Sequence, residues 1–170
     1  MASLVDDEIR TQLPGLRRFA LSLTRDASAA DDLVQASLER AFVREATRNE
    51  GSSLRAWLFS ILYRQFLDGQ RRRRRFGRLL DALRAQAAGS AAGTPEEVFF
   101  ASAELRAFAR LPEEQRAVLM LIAVEGLGYR DAGEVLDVPI GTVMSRLSRA
   151  RAALSKLGEA APARPLRLVK

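Results

Sequence analysis

The sequence predicts an all-α protein made of two small helical domains joined by a flexible linker. Of its 170 residues 48% are hydrophobic, enough for packed helical cores, and the abundant alanine, leucine and arginine are good helix formers. No run of β-branched residues alternates with polar residues between turn-forming residues, so no strand is predicted. Residues 84–95 combine alanines with two glycines, a serine and a proline, which indicates a linker between two amphipathic blocks.

The first domain is predicted over residues 6–78 and begins with an amphipathic helix. Its apolar residues recur at steps of three and four: Ile9, Leu13, Leu16, Phe19, Ala20 and Leu23. Pro14 and Gly15 mark a place where this helix bends or restarts. The helix stops before Asp26 and Ser28, either of which is expected to cap the helix that follows.

The second and third helices of this domain each have an apolar face. In the second helix it comprises Leu33, Val34, Leu38, Ala41 and Phe42. The opposite, polar face of the second helix carries Asp31, Asp32, Gln35 and Glu39. The polar, glycine-containing stretch that follows indicates a loop, and the third helix begins near Ser52 or Ser53. Its apolar face comprises Leu54, Trp57, Leu58, Ile61, Leu62 and Phe66, and it continues into five consecutive arginines at residues 71–75.

A linker over residues 79–95 separates the first domain from a second one over residues 96–158, and residues 159–170 form a C-terminal tail. Residues 76–83, which precede the run of small residues, are a candidate short helical extension. The second domain starts with a helix whose first turn holds a proline and two glutamates. A Leu-Pro-Glu-Glu sequence at residues 111–114 ends this helix and starts another, which closes at the glycines of residues 126–128. The apolar face of that helix is predicted to bury Val118, Leu119 and Ile122.

The last two helices have the pattern of a helix-turn-helix. The first has one apolar side, formed by Tyr129, Ala132, Gly133 and Leu136. A tight connection over residues 137–139 follows, and Pro139 suits the start of the second helix because its missing N–H is not needed there. The second helix has a buried stripe of Val143, Leu147, Ala150 and Leu154. Its N-terminal part could enter a DNA major groove, although a packing helix pair with a solvated arginine face has the same pattern.

Positive charge is concentrated in two parts of the chain. There are 27 Lys+Arg against 21 Asp+Glu, which gives a formal net charge of +6. One cluster comprises Arg64, the arginines of residues 71–75 and Arg78, and the other comprises Arg146, Arg149 and Arg151. Clusters of this kind suit a polyanion, which is either nucleic acid or an acidic membrane surface.

The absence of cysteine and histidine excludes several classes of site. Disulfides, zinc sites built on these residues, cysteine nucleophiles and Ser-His-Asp triads are all ruled out. No phosphate-binding Gly-Lys-Ser/Thr loop is present either, so we expect no cofactor and no enzymatic activity. The N-terminus is acidic and not a signal peptide, and no apolar stretch reaches the roughly 20 residues of a membrane span. A cytoplasmic protein is predicted.

Taken together, these motifs resemble the extracytoplasmic-function (ECF) sigma factors, small proteins that direct bacterial RNA polymerase to promoters. Residues 111–116 (LPEEQR) and 138–151 (VPIGTVMSRLSRAR) resemble sigma region 4. Residues 23–26 (LTRD), 30–35 (ADDLVQ) and 54–59 (LRAWLF), with the arginine-rich stretch beyond them, resemble sigma region 2. The motifs cover most of the chain in the family's order, with a linker where the family has one.

The resemblance implies three interfaces. The second domain would read the −35 promoter element with Thr142, Ser145, Arg146, Arg149 and Arg151. The first domain would read and open the −10 element with Asn49, Ser52, Ser53, Arg55, Arg64, Arg71 and Arg72. Its second helix would bind RNA polymerase core with Asp31, Asp32, Gln35 and Glu39. The expected partners are therefore RNA polymerase core, promoter DNA and, because family members are commonly restrained by one, an anti-sigma factor.

Two residues of the helix-turn-helix depart from the family pattern. Ala132 stands near where the family usually has a larger apolar residue. Gly133 stands where the family usually has alanine, and a glycine in a helix interior costs about 0.5–1 kcal/mol relative to alanine. We therefore expect the first helix of the pair to be held less rigidly than in other members.

Two other classes of function share features with the sigma factor. An autonomous helix-turn-helix transcriptional regulator would use the same helix pair but would bind promoter DNA without polymerase. An enzyme acting on nucleic acid would need catalytic residues or metal ligands, for which the sequence offers no convincing set. Taken without the resemblance, the acidic face of the second helix also fits an ordinary solvated surface.

Overall fold

The computed structural model describes residues 4–44, 53–84 and 103–159. Every regular element within these residues is helical, which confirms the all-α prediction. The chain divides into two compact units, the first containing three helices and the second containing the remainder.

The first unit consists of α1 (Leu4–Thr24), α2 (Ala27–Arg44) and α3 (Leu54–Arg84). Its core contains Leu16, Phe19, Phe59 and Leu62, none of which is more than 1% exposed. The rings of Phe19 and Phe59 lie 5.4 Å apart in a tilted arrangement that joins α1 to α3. Full burial of one such side chain contributes about 1.5–3 kcal/mol, so these residues stabilise the packing of the unit.

Local sequence explains where α1 and α2 meet. Although Pro14 was expected to bend or restart α1, the helix is continuous across it. Arg25 ends the helix in the left-handed conformation, with φ at 60°. Of the two caps predicted for α2, Asp26 is the one observed, because its Oδ1 accepts the N–H of Ala29 at 2.6 Å.

The third helix extends beyond the predicted end of the first domain. It runs for 31 residues to Arg84, so the first part of the segment assigned to the linker is helical. The rest of that segment, residues 85–95, lies outside the described residues, as does the tail beyond Glu159. No described helix is both long and apolar enough to cross a membrane.

The second unit consists of α4 (Ala103–Arg110), α5 (Glu113–Leu119), a π-helical turn (Met120–Val124), α6 (Tyr129–Leu136) and α7 (Ile140–Glu159). The helices surround a core whose largest fully buried side chains are Val118, Leu121, Val135 and Val143. Pro112 starts α5, and its carbonyl accepts the N–H groups of Gln115 and Arg116, both at 3.0 Å.

The π-helical turn alters which residues reach this core. The N–H of Glu125 donates to the carbonyl of Met120, five residues earlier, at 2.9 Å. Such a turn changes the angular step between side chains, so a regular 3.6-residue period no longer predicts the buried face. Val118 and Leu119 are buried as predicted, whereas Ile122 is only half-buried and Leu121 is fully buried.

Candidate nucleic-acid and protein interfaces

The helix-turn-helix is formed by α6 and α7 with residues 137–139 between them. Asp137 ends α6 in the left-handed conformation, at φ 55° and ψ 49°, and its N–H donates to the carbonyl of Gly133. At the start of α7 the carbonyl of Pro139 accepts the N–H of Thr142 at 2.8 Å and that of Val143 at 3.2 Å. These bonds satisfy backbone groups at both helix ends, so the tight turn holds α7 in a defined direction.

Gly133 lies at the closest approach of α6 to the turn. A Cβ atom built on it would lie 3.0 Å from the carbonyl oxygen of Val138 and 3.7 Å from Cγ2 of Val143. The carbonyl of Gly133 also accepts the N–H of Val138 at 3.0 Å. The absent side chain leaves room for the turn to lie close to α6, and the expectation that this glycine loosens the helix stays a prediction.

One side of α7 faces the core of the unit. Val143, Leu147 and Ala150 of the predicted stripe are at most 2% exposed, while Leu154 is half-buried. Among the residues predicted to read DNA, Ser145, Arg149 and Arg151 are exposed and Thr142 is half-buried. The exposed surface of α7 thus combines short hydroxyl side chains near the N-terminus with arginines further along.

Arg146 is not the freely exposed arginine that the sequence suggested. Its Nη2 lies 2.8 Å from Oε2 of Glu114 in the first turn of α5, and only 18% of its side chain is exposed. Glu114 itself is 62% exposed. The guanidinium is therefore held at the flank of α7 beside α5, and any DNA contact it makes starts from this ion pair.

Sequence reasoning missed two apolar residues on the first two turns of α7. Ile140 is 52% exposed and Met144 is 54% exposed. Their spacing of four residues places them side by side on the helix surface, outside the buried stripe. The sequence already contained the signal, because both residues are apolar yet neither belongs to the predicted buried stripe of α7. In α6, Tyr129 is 41% exposed, although it was predicted on the apolar side.

The arginine-rich part of α3 is exposed. Arg64 and all arginines of residues 71–75 face solvent, as does Arg78. Nη1 of Arg71 lies 3.5 Å from Oδ1 of Asp68, an exposed pair one turn away that contributes at most a few tenths of a kcal/mol. Arg64, Arg71 and Arg72 are thus placed where a phosphate backbone could reach them.

Two other residues predicted for the −10 element have structural roles. The Nη1 of Arg55 donates to Oε1 of Gln12 at 3.2 Å, and its guanidinium carbon lies 5.5 Å from the ring centroid of Phe59. Arg55 therefore ties α3 to α1, and no observation supports the DNA contact predicted for it. Ser53 occupies the N-cap of α3, where its carbonyl accepts the N–H of Trp57 at 2.9 Å. Asn49 and Ser52 lie outside the described residues.

The polar face of α2 is exposed at all four predicted positions, namely Asp31, Asp32, Gln35 and Glu39. Nε of Arg17 on α1 lies 2.6 Å from Oδ1 of Asp31. The hydrogen bond from Arg17 lowers the pKa of Asp31 from its ordinary value, and the same bond raises the pKa of Arg17. On the next turns Nε2 of Gln35 donates to Oε1 of Glu39 at 3.1 Å, so the carboxylates lie along one solvent-facing strip.

Comparison with known proteins gives matches in both units. Residues 9–63 match the family model described as the Sigma2 domain of PhyR. Residues 103–154 match the model described as Sigma-70, region 4, which spans α4 through most of α7.

Individual relatives match across both units. The ECF RNA polymerase sigma factor EcfG of Rhodopseudomonas palustris (strain TIE-1) is 40% identical over 152 residues, 89% of this chain and 83% of that relative. The ECF RNA polymerase sigma factor SigM of Bacillus subtilis (strain 168) is 26% identical over 90% of this chain and 94% of its own length. Among solved structures, the sigma factor RpoE in complex with the anti-sigma factor NepR from Bartonella quintana superposes with a TM-score of 0.74. It is 34% identical, and the match covers 93% of this chain and 98% of that one.

Proposed function

The chain belongs to the extracytoplasmic-function RNA polymerase sigma factors, and on that premise we propose which of its surfaces carries each step of promoter recognition. As a member of this family it binds RNA polymerase core and directs promoter-specific transcription initiation. The division into two compact units suits this function, because each unit can contact its own DNA element. Joining two weak DNA contacts on one polymerase raises the effective concentration of the second contact once the first has formed.

The second unit reads the −35 element. The observation that carries this assignment is the exposed surface of α7, where Thr142 and Ser145 lie near the N-terminus and Arg149 and Arg151 follow. Hydroxyls at the start of a recognition helix reach base edges in the major groove, while arginines further along neutralise phosphates. Arg146 joins them from the flank of the helix.

The first unit contacts the −10 element through α3 and the segment before it. The exposed run of residues 71–75, with Arg64, supplies positive charge for the phosphate backbone, and this contact weakens steeply with salt. Asn49 and Ser52 precede α3 and supply polar groups for the edge of an unstacked base, with Ser53 at the helix start. Arg55 acts as a packing residue in this scheme.

The polar face of α2 binds polymerase core. Its exposed acidic side chains complement a basic surface on a partner, and the Arg17–Asp31 pair orients one of them. The solved relative RpoE is bound by the anti-sigma factor NepR, and we propose that an anti-sigma factor likewise restrains this chain. The factor is not an enzyme, and it works in the cytoplasm with polymerase.

Transcription in vitro tests this function directly. Core RNA polymerase is combined with the protein on promoter fragments from its own organism, and specific initiation that depends on the added protein is the expected result. Tight promoter binding without polymerase, and no initiation with it, would instead indicate an autonomous regulator.

Two variants separate the proposed surfaces. The replacement Arg146→Ala is expected to impair −35 recognition while core binding stays intact. Replacing Asp32 and Gln35 together with alanine is expected to weaken core binding while DNA contacts are spared. Unchanged affinity for core in the double variant would identify the polar face of α2 as an ordinary solvated surface.

A further inference from the structure

Ile140 and Met144 form a small apolar pair, here called the α7 apolar pair, on the surface of the recognition helix. They are 52% and 54% exposed, and the core of the unit is filled without them by Val143 and Leu147. Single exposed apolar residues are common on proteins and need no special cause. This pair differs because both members lie on the first two turns of the helix that enters DNA in the proposed function.

The surroundings of the pair identify the kind of molecule that covers it. Ser145 beside Met144 is polar and exposed, and Arg149 and Arg151 follow on the same helix. Apolar patches that mark protein-binding sites are contiguous and larger than a few hundred Å², whereas this pair is small and borders the polar Ser145. A basic helix with isolated apolar side chains between hydroxyls instead complements the DNA major groove.

The major groove offers one apolar group to such side chains, the C5-methyl of thymine. We propose that Ile140 and Met144 contact thymine methyl groups of the −35 element and so help to specify its sequence. The inference deepens the −35 assignment above and rests on it. The unbranched, flexible Met144 can adjust to the position of a methyl group, whereas the β-branched Ile140 presents a nearly fixed shape.

The chemistry of the contact sets the size of the effect. Removing one buried methyl group from an apolar contact lowers affinity about three- to fivefold. Loss of a hydrogen bond with a charged donor is larger, so the α7 apolar pair adjusts specificity at one or two positions and does not supply most of the affinity.

The experiment replaces thymine by deoxyuridine, which removes only the methyl group, at each thymine of the −35 element in turn. Binding of holoenzyme to each duplex is measured for the unsubstituted protein, Ile140→Ala and Met144→Ala. The replacement Val124→Ala serves as the matched control, because Val124 is 53% exposed and lies on the π-helical turn. Alanine is a strong helix former, so the variants on α7 are expected to fold.

For the unsubstituted protein and for Val124→Ala, replacing thymine by deoxyuridine is expected to lower binding affinity about three- to fivefold at one or two positions. At the position whose methyl group the substituted residue contacts, Ile140→Ala or Met144→Ala should bind the thymine duplex and the deoxyuridine duplex with equal affinity. The inference is overturned if deoxyuridine is neutral everywhere, or if both α7 variants keep the full loss.

Two further outcomes separate this inference from the assignment on which it rests. If base-pair changes in the −35 element reduce binding but deoxyuridine does not, only the methyl contact is wrong. If base-pair changes there have no effect either, the −35 assignment itself fails. Weaker binding of polymerase core by Ile140→Ala or Met144→Ala, with an unchanged thymine-to-deoxyuridine ratio, would show that a protein covers the pair.

Discussion

The ion pair between Glu114 and Arg146 connects the start of α5 to the recognition helix, and removing it should have a measurable cost. The two atoms are 2.8 Å apart, and the arginine side chain is only 18% exposed while the glutamate is 62% exposed. Fully exposed ion pairs contribute about 0.2–1 kcal/mol to stability. Partial burial of the Arg146 side chain reduces the screening of this pair by solvent. We therefore expect a coupling free energy of about 0.5–1 kcal/mol between the two side chains.

A single substitution would overstate this coupling. Glu114 lies in the first turn of α5, where a carboxylate also interacts favourably with the helix dipole, by about 0.3–1 kcal/mol. A double-mutant cycle with Glu114→Ala and Arg146→Ala removes that contribution, because it appears in both arms. The matched control is a second cycle that pairs Glu114→Ala with Arg149→Ala, since Arg149 is exposed on the same helix.

Urea unfolding followed by two probes supplies the free energies. The chain has one tryptophan, Trp57, which lies in α3 of the first unit, so its fluorescence reports that unit. Far-UV circular dichroism reports both units, and the substitutions should move only the part of its transition that belongs to the second. A coupling below about 0.2 kcal/mol in the Glu114–Arg146 cycle, or an equal one in the Arg149 cycle, would refute the reasoning.

Three further predictions follow from local geometry. Arg17 holds the pKa of Asp31 below its ordinary value, so the pair stabilises the fold above the unfolded-state pKa of about 3.9, and this is lost as pH falls through the folded value. In an NMR titration Arg17→Ala should return Asp31 to its ordinary pKa, and an unchanged midpoint would contradict the pairing. Gly133→Leu should cost about 1–3 kcal/mol by overpacking against the turn, measured by thermal unfolding, and a melting temperature equal to that of the unsubstituted protein would argue against the close approach. Arg25→Gly should stabilise the first unit by up to about 1 kcal/mol, because φ there is 60°, whereas Arg40→Gly in the interior of α2 should destabilise it by a similar amount. Equal changes in the free energy of unfolding for Arg25→Gly and Arg40→Gly, measured with urea, would mean that the left-handed conformation of residue 25 has no effect on stability.

Much of the architecture could be predicted because it depends on local patterns. The spacing of Val143, Leu147 and Ala150 identifies the buried side of α7, since side chains three and four residues apart share a helix face whatever the partner is. Asp26 as a cap follows from the same kind of reasoning, because it bonds an N–H three residues away. The π-helical turn was not predicted, since it changes the period on which such reasoning relies, and Leu121 is buried where Ile122 was expected.

The sequence by itself determined that the chain is helical and where its charges are concentrated, and its motifs pointed to the family. Only the tertiary structure decided which charged side chains are available to a partner. Arg55 and Arg146 were predicted among the DNA-binding residues, yet Arg55 donates a hydrogen bond to Gln12 of α1 and Arg146 pairs with Glu114 of α5. The physical reason is that both partners lie in other helices, so their proximity depends on how the helices pack and not on any spacing along the chain. Gly133 illustrates the same point. The free-energy cost of a glycine inside a helix can be predicted from the sequence, whereas its close approach to Val138 and Val143 depends on how α6 and α7 pack.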